Sequence, residues 1–442
     1  MPSAIPFLSG AMPETGHLDE FNSDPVKLMH RSYAECGEIS EFDLGGLRTV
    51  LLVGPEAHEA FFRSPDEQLS AAQAYQMMVP VFGEGVQYGA PPDIERQQLK
   101  MQVQGLKHDR MVNYAGIVEQ EAQEFLCDWD DSGEFDIYEA FTKLTLKTST
   151  HCLLGADFRY QLTEEFAELY HDLEDGLAPS SLSDPFQDAE RFRRRDRARE
   201  RLEELISARV QQRRESGGWE HDMLQIYMDS TYSDGRKLTD HEITGMVIWF
   251  MFAGHHTSSN TTAWTLLEIA RNPQYKERLF AEIDALFAGE QALSLKGLRD
   301  IPLLEGFIRE SLRLHPPLNV ITRRVMSDWQ YKTFTVRAGM NIIVCPHVSH
   351  KLSEFFDKPE AFDPDRKPPA NLFAEIPFGG GRHKCIGNGF AILQVKAILS
   401  TLLHQYDFEL TAPPESYGEI MPALILRPTD PCILSYCKRP AS

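Results

Sequence analysis

A glycine-rich loop near the C-terminal end, Pro377 to Gly387, presents a single cysteine, Cys385. Its glycines allow turns that a Cβ would prevent and let a flat cofactor lie close to the backbone. The apolar run from Phe390 to Leu403 predicts a helix whose N-terminus points at the sulfur and favours a thiolate. Arg382 to Lys384 add positive charge, and Phe378 limits the access of water. The sequence therefore predicts Cys385 as a thiolate ligand to haem iron, with a buried, unreactive cysteine as the alternative.

A second group of reactive side chains lies in the middle of a long predicted helix. Thr239 to Glu242 is a capping box and Asn272-Pro273 is the next clear stop. The span is on the order of 45 Å. Its middle is apolar on every side, yet Gly254 to Ser259 places two imidazoles and three hydroxyls in the core. We interpret Gly254 as leaving room over a cofactor face, and Thr257 and one histidine as a relay that delivers protons to bound oxygen. The alternative for Thr257 is a hydrogen bond to its own helix.

Composition excludes several classes of protein. The 442 residues are 42% hydrophobic and 25% charged, with a net charge of −22 that argues against nucleic acid as a partner. Seven cysteines without CxxC spacing indicate neither a disulfide framework nor a zinc site. No apolar run reaches about 18 residues, and Met1 to Gly16 lacks the pattern of a signal peptide. We therefore expect a soluble cytoplasmic protein without a membrane anchor, folded as one domain over residues 1–442.

The elements that must position these groups are predicted to be mainly helical. Short helices and strands are expected first, at Pro25 to Cys36, Ile39 to Phe42, Arg48 to Val53 and Ala57 to Phe62. From Arg96 to Leu267 the pattern is overwhelmingly helical, with breaks at residues 131–134, 178–185, 216–218 and 233–235. The arginine-rich stretch Arg191 to Arg214 is interpreted as a solvated helix face rather than a partner site.

Two further motifs follow the long helix. Glu310-Ser-Leu-Arg313 places both charges on one helix face, and Phe362-Asp-Pro-Asp-Arg366 either completes a buried Glu-Arg-Arg network or forms a surface turn. Each motif alone is a weak signal. In this order, with Ala-Gly-x-x-Thr before them and the cysteine loop after them, they resemble the cytochrome P-450 family over nearly the whole chain. The resemblance implies a mainly α (α+β) fold, a triangular helical body with small β-sheets. Haem b would lie between the long central helix and the cysteine loop.

Two local motifs narrow the resemblance to the sterol 14α-demethylase family, particularly its soluble bacterial branch. Most cytochromes P-450 carry an acid immediately before the helix threonine, whereas this chain has His256 there. The segment Tyr75 to Tyr88, which predicts neither a clean helix nor a clean strand, is similar to that family's substrate wall. Two positions depart from the family pattern: Gly89 replaces an aspartate, and Met77 stands where a phenylalanine or leucine is expected.

The resemblance also implies roles for individual residues. Glu174 would pair with His256, the alternative being an ordinary surface acid, and the proton-delivering set would be Glu174, His256 and Thr257. The cofactor would be held by Cys385 as axial ligand, together with Tyr75, Arg96, Lys100, Arg323, Phe378, Gly381 and His383. The structural network would be Glu310, Arg313 and Arg366. Substrate contacts would be Tyr75, Met77, Met78, Phe82, Leu99, Phe252, Ala253, Leu318, Val320 and Met421.

By the same resemblance the protein is a haem-thiolate monooxygenase that uses O2 and removes a sterol 14α-methyl group in three successive oxygenations, releasing formate. The thiolate would promote O–O cleavage. Alternatives are a single hydroxylation of a steroid, terpenoid or fatty acid, and a haem-binding sensor or carrier, against which the relay motif argues. Because the chain has no fused flavin or iron–sulfur motif, a ferredoxin docking near Lys384, with its ferredoxin reductase, is the expected electron donor. A monomer is expected.

Overall fold

The chain folds mainly into helices with four small sheets, as far as the described residues extend. The computed structural model describes residues 3–161, 164–177, 189–217, 222–289, 293–421 and 425–440. The helices are α1 Leu18–Ser23, α2 Pro25–Cys36, α3 Pro55–Arg63, α4 Ala71–Ala74, α5 Val79–Phe82, α6 Pro92–Val103, α7 His108–Leu126, α8 Ile137–Gln161, α9 Glu164–Asp175, α10 Ala189–Ser216, α11 Met223–Asp229, α12 Asp240–Arg271, α13 Lys276–Phe287, α14 Leu295–Arg299, α15 Pro302–Leu314, α16 Pro346–Ser349 and α17 Asn388–Gln405. The strands are β1 Ile39–Leu44, β2 Leu47–Leu52, β3 Leu69–Ser70, β4 Ser132–Asp136, β5 Ile321–Val325, β6 Trp329–Tyr331, β7 Phe334–Val336, β8 Asn341–Val344, β9 Tyr406–Leu410, β10 Glu419–Ile420, β11 Arg427–Pro428 and β12 Ile433–Lys438.

The long helix α12 begins and ends where the sequence predicted. The Thr239 hydroxyl accepts a hydrogen bond from the Glu242 backbone N–H (3.2 Å), and the Glu242 carboxylate accepts one from the Thr239 N–H (2.8 Å), which completes the capping box. Most of its residues are buried, and it packs against α8, α10, α15 and α17. The polar cluster in its middle is therefore held between other helices, in contact with the largest hydrophobic core of the described residues.

The five-stranded sheet has the order β1-β2-β8-β5-β3 and carries Arg323. Strand β2 runs parallel to β8, and the other neighbours are antiparallel. Arg323 opposes Ile342 in the pairing of β5 with β8, which fixes its backbone on that side. The predicted strands at the start of the chain are confirmed as β1 and β2.

Three predicted features differ in detail. The break expected at residues 131–134 is occupied largely by strand β4, which pairs with β12, and the break at 178–185 lies outside the described residues. The segment Tyr75 to Ala90 is built of short helical pieces, because Gly83 and Gly85 interrupt it after α5. The predicted helix after the cysteine loop begins two residues earlier, at Asn388.

Helix α10 presents the solvated, arginine-rich face that the sequence predicted. Arg193, Arg194, Arg197 and Arg201 form ion pairs with neighbouring carboxylates, and these four arginine side chains remain 44–64% exposed. Exposed pairs of this kind contribute at most about 1 kcal/mol each. The exposure and the pairing therefore agree with a solvated helix face, the interpretation that the sequence favoured.

The cysteine loop is held close to helix α3. Gly381 has φ +63°, a conformation that side chains disfavour, and a Cβ there would overlap the backbone oxygen of Phe62.

All seven cysteines of the chain are free thiols. Among the described helices, none combines the length and the apolar character that crossing a membrane requires.

Candidate active site

Cys385 lies where the loop turns into α17. Its backbone N–H donates to the Phe378 carbonyl (2.9 Å) and closes the loop. The residue is exposed, yet desolvation by the surrounding protein raises the pKa of its thiol, and the backbone N–H groups of Gly387 and Asn388 and the charge of Lys384 offset this rise only in part. The groups predicted to favour a thiolate are therefore directed at this sulfur.

The two histidines of α12 have different surroundings. His256 Nε2 contacts the Glu174 carboxylate, which comes from α9, and the two side chains are 12% and 19% exposed. His255 lies on the buried side, with Nδ1 3.0 Å from the Thr145 hydroxyl of α8. Burial, helped by the charge of His256, lowers the pKa of His255 well below its ordinary value. The pairing of Glu174 with His256 that the resemblance implied is therefore observed as a contact.

The middle of α12 differs from the prediction at one position. The Thr257 hydroxyl donates to the Ala253 carbonyl (2.9 Å), which is the alternative that the sequence left open. A Cβ at Gly254 would lie 3.6 Å from Leu153 and 3.8 Å from Ser149 of α8, and 4.0 Å from Phe390 of α17. That Gly254 leaves room over a cofactor face stays a prediction, and the exposed small side chain next to it is that of Ala253.

Glu310, Arg313 and Arg366 form a buried network. Arg313 donates to both carboxylate oxygens of Glu310 (2.8 and 2.9 Å), and the Arg366 Nε lies 3.1 Å from each of them. The remaining Arg313 donors reach the carbonyls of His350, Pro359 and Ala361, which satisfies all five N–H groups of its guanidinium. Of the two interpretations of the Phe-x-Pro-x-Arg motif, the network is the observed one.

Helix α15, which carries Glu310, is pressed against the Phe-x-Pro-x-Arg segment. Gly306 lies one turn before Glu310 on α15, and a Cβ there would overlap the Pro364 carbonyl oxygen. The Asp363 backbone N–H also donates to Glu310 (3.1 Å). The network thus joins two segments at a separation that only a glycine permits.

Two of the predicted cofactor-binding cations project freely. Arg96 and Lys100 lie one turn apart on α6 and are exposed, and their side chains form no ion pair or hydrogen bond with any described residue. Tyr75 is half-buried, and its hydroxyl accepts a hydrogen bond from the Thr322 N–H (3.3 Å). Arg96 and Lys100 are therefore both available to one anionic ligand.

Arg323 is held rigidly. It is 2% exposed, donates to the carbonyls of Phe61 (2.9 Å) and Ser64 (3.2 Å), and has its guanidinium 4.7 Å from the Phe61 ring centroid. Burial lowers its pKa to about 10, so the side chain remains a cation at neutral pH. A buried cation without a carboxylate in contact is expected where an anionic group binds.

His383 has a protein partner that the sequence did not predict. Its Nε2 lies 2.6 Å from Asp66, and Arg382 donates to the same carboxylate (3.1 Å). Burial raises the pKa of Asp66, but the bonds to His383 and Arg382 outweigh it and hold the pKa below its ordinary value. Positive charge expected beside Cys385 is therefore partly compensated. Arg382 and Lys384 are both exposed, and of the two only Lys384 has no carboxylate partner among the described residues.

The predicted substrate wall is aromatic and reaches the relay. Tyr75 stacks on Tyr88 (5.1 Å between ring centroids), Tyr88 contacts Phe82, and Phe82 packs edge-on against Phe252 (6.0 Å). Phe252 in turn contacts His256 (5.6 Å). A continuous line of rings thus connects the wall to the imidazole that touches Glu174.

The other predicted substrate residues differ in their exposure and in their surroundings. Met77, Met78, Leu99 and Val320 are half-buried, whereas Leu318 is 43% exposed. Met421 lines a groove whose other residues are Glu20, Ser23, Asp24, Lys27 and Glu419. That mostly charged groove is unlike the aromatic wall.

Comparison with known proteins places the chain in a family. The family model described as cytochrome P-450 matches residues 6–435. The chain belongs to the cytochrome P-450 family. It is 40% identical to a sterol 14α-demethylase of Mycolicibacterium vanbaalenii, over 98% of each chain, and 37% identical to a lanosterol 14α-demethylase of Bos taurus, over 92% of this chain and 82% of that one. The fold matches retinoic acid-bound cyanobacterial CYP120A1 with a TM-score of 0.87 at 22% identity, covering 99% and 100% of the two chains. The protein is a monooxygenase of the cytochrome P-450 type and is similar to sterol 14α-demethylases.

The residues present fit the haem that cytochromes P-450 carry. Cys385 is accessible and has backbone N–H groups directed at its sulfur. Ala253 offers a small exposed side chain on α12. Arg96 and Lys100 are unpaired among the described residues, and Arg323 is a buried cation without a carboxylate contact, so cations are available for an anionic cofactor edge.

Sequence reasoning missed three residues of the site. Asp66 contacts His383, Thr145 contacts His255, and Tyr170 stacks on His256 with 6.3 Å between ring centroids. None belongs to a motif, and each reaches its partner from a separate element. Tyr170 carried the one usable signal, because it lies four residues before Glu174 on α9 and so shares its face.

Proposed function

We propose that this protein removes the 14α-methyl group of a sterol, using O2 and electrons from a separate ferredoxin. The observation that carries the proposal is the contact between Glu174 of α9 and His256 of α12, beside an aromatic wall. A histidine before the helix threonine and an acid that reaches it are the features by which the sequence resembles the sterol 14α-demethylases. The 40% identity to the bacterial enzyme over 98% of the chain supports the same assignment.

Some side chains of the site would bind haem and substrate, and others would transfer protons. When bound, haem supplies the oxygen activation and the electron transfer that the reaction needs. Cys385 would hold it through its sulfur, and Arg323, Arg96, Lys100 and His383 would hold its carboxylates. The apolar rings of the wall would exclude water from the substrate.

The proton-handling residues are Glu174, His256 and Thr257. His256 accepts or donates a proton at Nε2, opposite the Glu174 carboxylate. The Thr257 proton is directed at Ala253, which leaves the lone pairs of its oxygen free to accept a hydrogen bond. His255 is buried against Thr145, so the relay runs through His256.

Sterol binding tests the substrate assignment. Purified enzyme titrated with lanosterol is expected to show a substrate-induced Soret shift, and with a ferredoxin system it is expected to release formate. The absence of both the shift and turnover would remove the sterol assignment. A single hydroxylated product in place of formate would favour the alternative substrates.

Two positions of the wall keep those alternatives open. A Cβ at Gly89 would lie 3.1 Å from the Gly83 carbonyl and 3.2 Å from Val79, so the aspartate usual in the family would crowd this turn. Met77 is flexible and adapts to ligands of varied shape. A steroid, terpenoid or fatty acid hydroxylated once is therefore the second candidate substrate.

The relay predicts a kinetic defect without loss of cofactor. His256→Ala is expected to lower turnover on the order of 10²-fold, because a positioned proton donor contributes at least that much. Haem content and the carbon monoxide spectrum are expected to be unchanged. His404→Gln is the control, since it removes a half-buried histidine at the end of α17 that lies 3.6 Å from Asp284 and is not part of the relay. Equal turnover in His256→Ala and His404→Gln would refute the relay role.

The exposed cation beside the cysteine predicts where the donor protein docks. Lys384→Glu is expected to slow the first reduction by ferredoxin roughly 10-fold at low salt, because charge complementarity governs the association rate. The difference is expected to shrink as salt is added. Lys143→Glu, a charge reversal on α8, provides the control for stopped-flow measurements. Unchanged reduction kinetics for Lys384→Glu at low salt would place the docking surface elsewhere.

A further inference from the structure

Three potential metal ligands meet between α9 and α12. Glu174, His255 and His256 each offer a ligand atom, and these atoms lie within 4.8 Å of one another. Within the described ranges, no other group of three such residues is arranged in this way. Two imidazoles and one glutamate form a ligand set that zinc uses in proteins. Because the three residues lie on helices α9 and α12, the cluster is built on regular secondary structure rather than on a loop.

The hydrogen bonds of Thr145 define which nitrogen of His255 is available. The Thr145 hydroxyl donates its single proton to the Phe141 carbonyl (2.7 Å). At the 3.0 Å contact with His255, Thr145 must therefore accept, and His255 Nδ1 must carry the proton. Nε2 of the neutral ring is therefore unprotonated, and its free lone pair can bind a metal. Nε2 has no hydrogen-bond partner among the described residues.

A buried phenol beside the cluster is a second, independent observation. Tyr170 is 2% exposed, and its hydroxyl has no hydrogen-bond partner among the described residues. Its ring centroid lies 6.2 Å from that of His255 and 6.3 Å from that of His256, and it lies one turn before Glu174 on α9. An unpaired buried hydroxyl is costly unless something occupies the site. A solvent molecule completing the coordination of an ion would supply that partner.

We propose that Glu174, His255 and His256 form a binding site for a divalent transition-metal ion, with Zn²⁺ as the best match to the ligands. Ligand atoms about 2.0–2.1 Å from zinc are about 3.4 Å apart at the tetrahedral angle. The Glu174 and His256 atoms, already in direct contact, would open to admit the ion, and the longer separations in the cluster would shrink by on the order of 1 Å. The ion takes the lone pairs of His256 and Glu174, so it blocks proton delivery. This inhibitory consequence rests on the proposed relay, whereas the binding itself does not.

Zinc binding to the haem-loaded enzyme tests the site directly. Competition against a colorimetric zinc chelator is expected to show one Zn²⁺ ion per chain that depends on the cluster. His255→Asn retains a donor for Thr145 and removes Nε2, and Glu174→Gln removes the carboxylate charge. Each variant is expected to weaken zinc binding at least about 10-fold. Losing only a residue that hydrogen-bonds to a metal ligand already lowers metal affinity by about that factor. His404→Gln is expected to bind as the wild type does.

The outcomes separate the metal site from the relay. Wild-type protein without this zinc equivalent, or equal affinity in His255→Asn, would overturn the site. Zinc that binds through His255 but leaves turnover unchanged would support the site and contradict the relay. If His256→Ala slows turnover while no zinc binds, the relay stands and the metal site falls. Mg²⁺, which prefers oxygen ligands, is expected not to compete.

Discussion

Replacing Glu310 with alanine is expected to lower the free energy of unfolding by about 3–5 kcal/mol, the usual cost of leaving a buried charge without its partner. Arg313 is fully buried, and the variant leaves two of its five N–H groups without an acceptor. Arg366 loses the same carboxylate. The midpoint of urea unfolding, followed by tryptophan fluorescence, measures the change.

An exposed ion pair provides the control for this effect. Glu139 and Lys143 pair on α8 with both side chains about two-thirds exposed (66% and 67%). Glu139→Ala is expected to change stability by no more than about 0.5 kcal/mol. If Glu310→Ala unfolds at the same urea concentration as Glu139→Ala, the network contributes no measurable stability and its role must be sought elsewhere.

Replacing Cys385 with serine is expected to abolish turnover and the red-shifted carbon monoxide band of the reduced protein. A serine hydroxyl does not ionise near neutral pH, so it cannot replace the thiolate even though the backbone N–H groups of Gly387 and Asn388 remain in place. The variant is expected to fold, because the loop is closed by backbone contacts, among them the Cys385 N–H with Phe378.

A second exposed cysteine provides the control that separates haem ligation by Cys385 from a general effect of losing a thiol. Cys437→Ser, in strand β12, is expected to retain both the band and turnover. A Soret band in the wild type at the position typical of histidine-ligated haem would contradict the assignment of Cys385. So would a red-shifted band that survives in Cys385→Ser.

Sequence reasoning succeeded where spacing alone determines geometry. The capping box at Thr239 fixed the start of α12, and i,i+3 spacing placed Glu310 and Arg313 on one face. Arg366 joined them only through the order of motifs along the chain, because no local pattern links residues 56 positions apart. The family pattern thus supplied the long-range part of the prediction.

The omissions share a physical cause. The rotation of α12, a helix whose residues are mostly buried, cannot be derived from a sequence that is apolar all round. Asp66 contacts His383 across 317 positions, and Thr145 contacts His255 from another helix. Such contacts depend on tertiary packing, which local periodicity does not encode.

Gly381 and Gly306 have a consequence for the interpretation of mutational data. In a library that varies every position, both glycines are expected to tolerate no substitution, because the Phe62 and Pro364 carbonyl oxygens occupy the volume of any side chain. Their scores would equal those of Cys385, although neither would take part in the chemistry. Intolerance to substitution at such positions therefore marks close backbone packing as strongly as catalysis, and only spectra of folded variants separate the two.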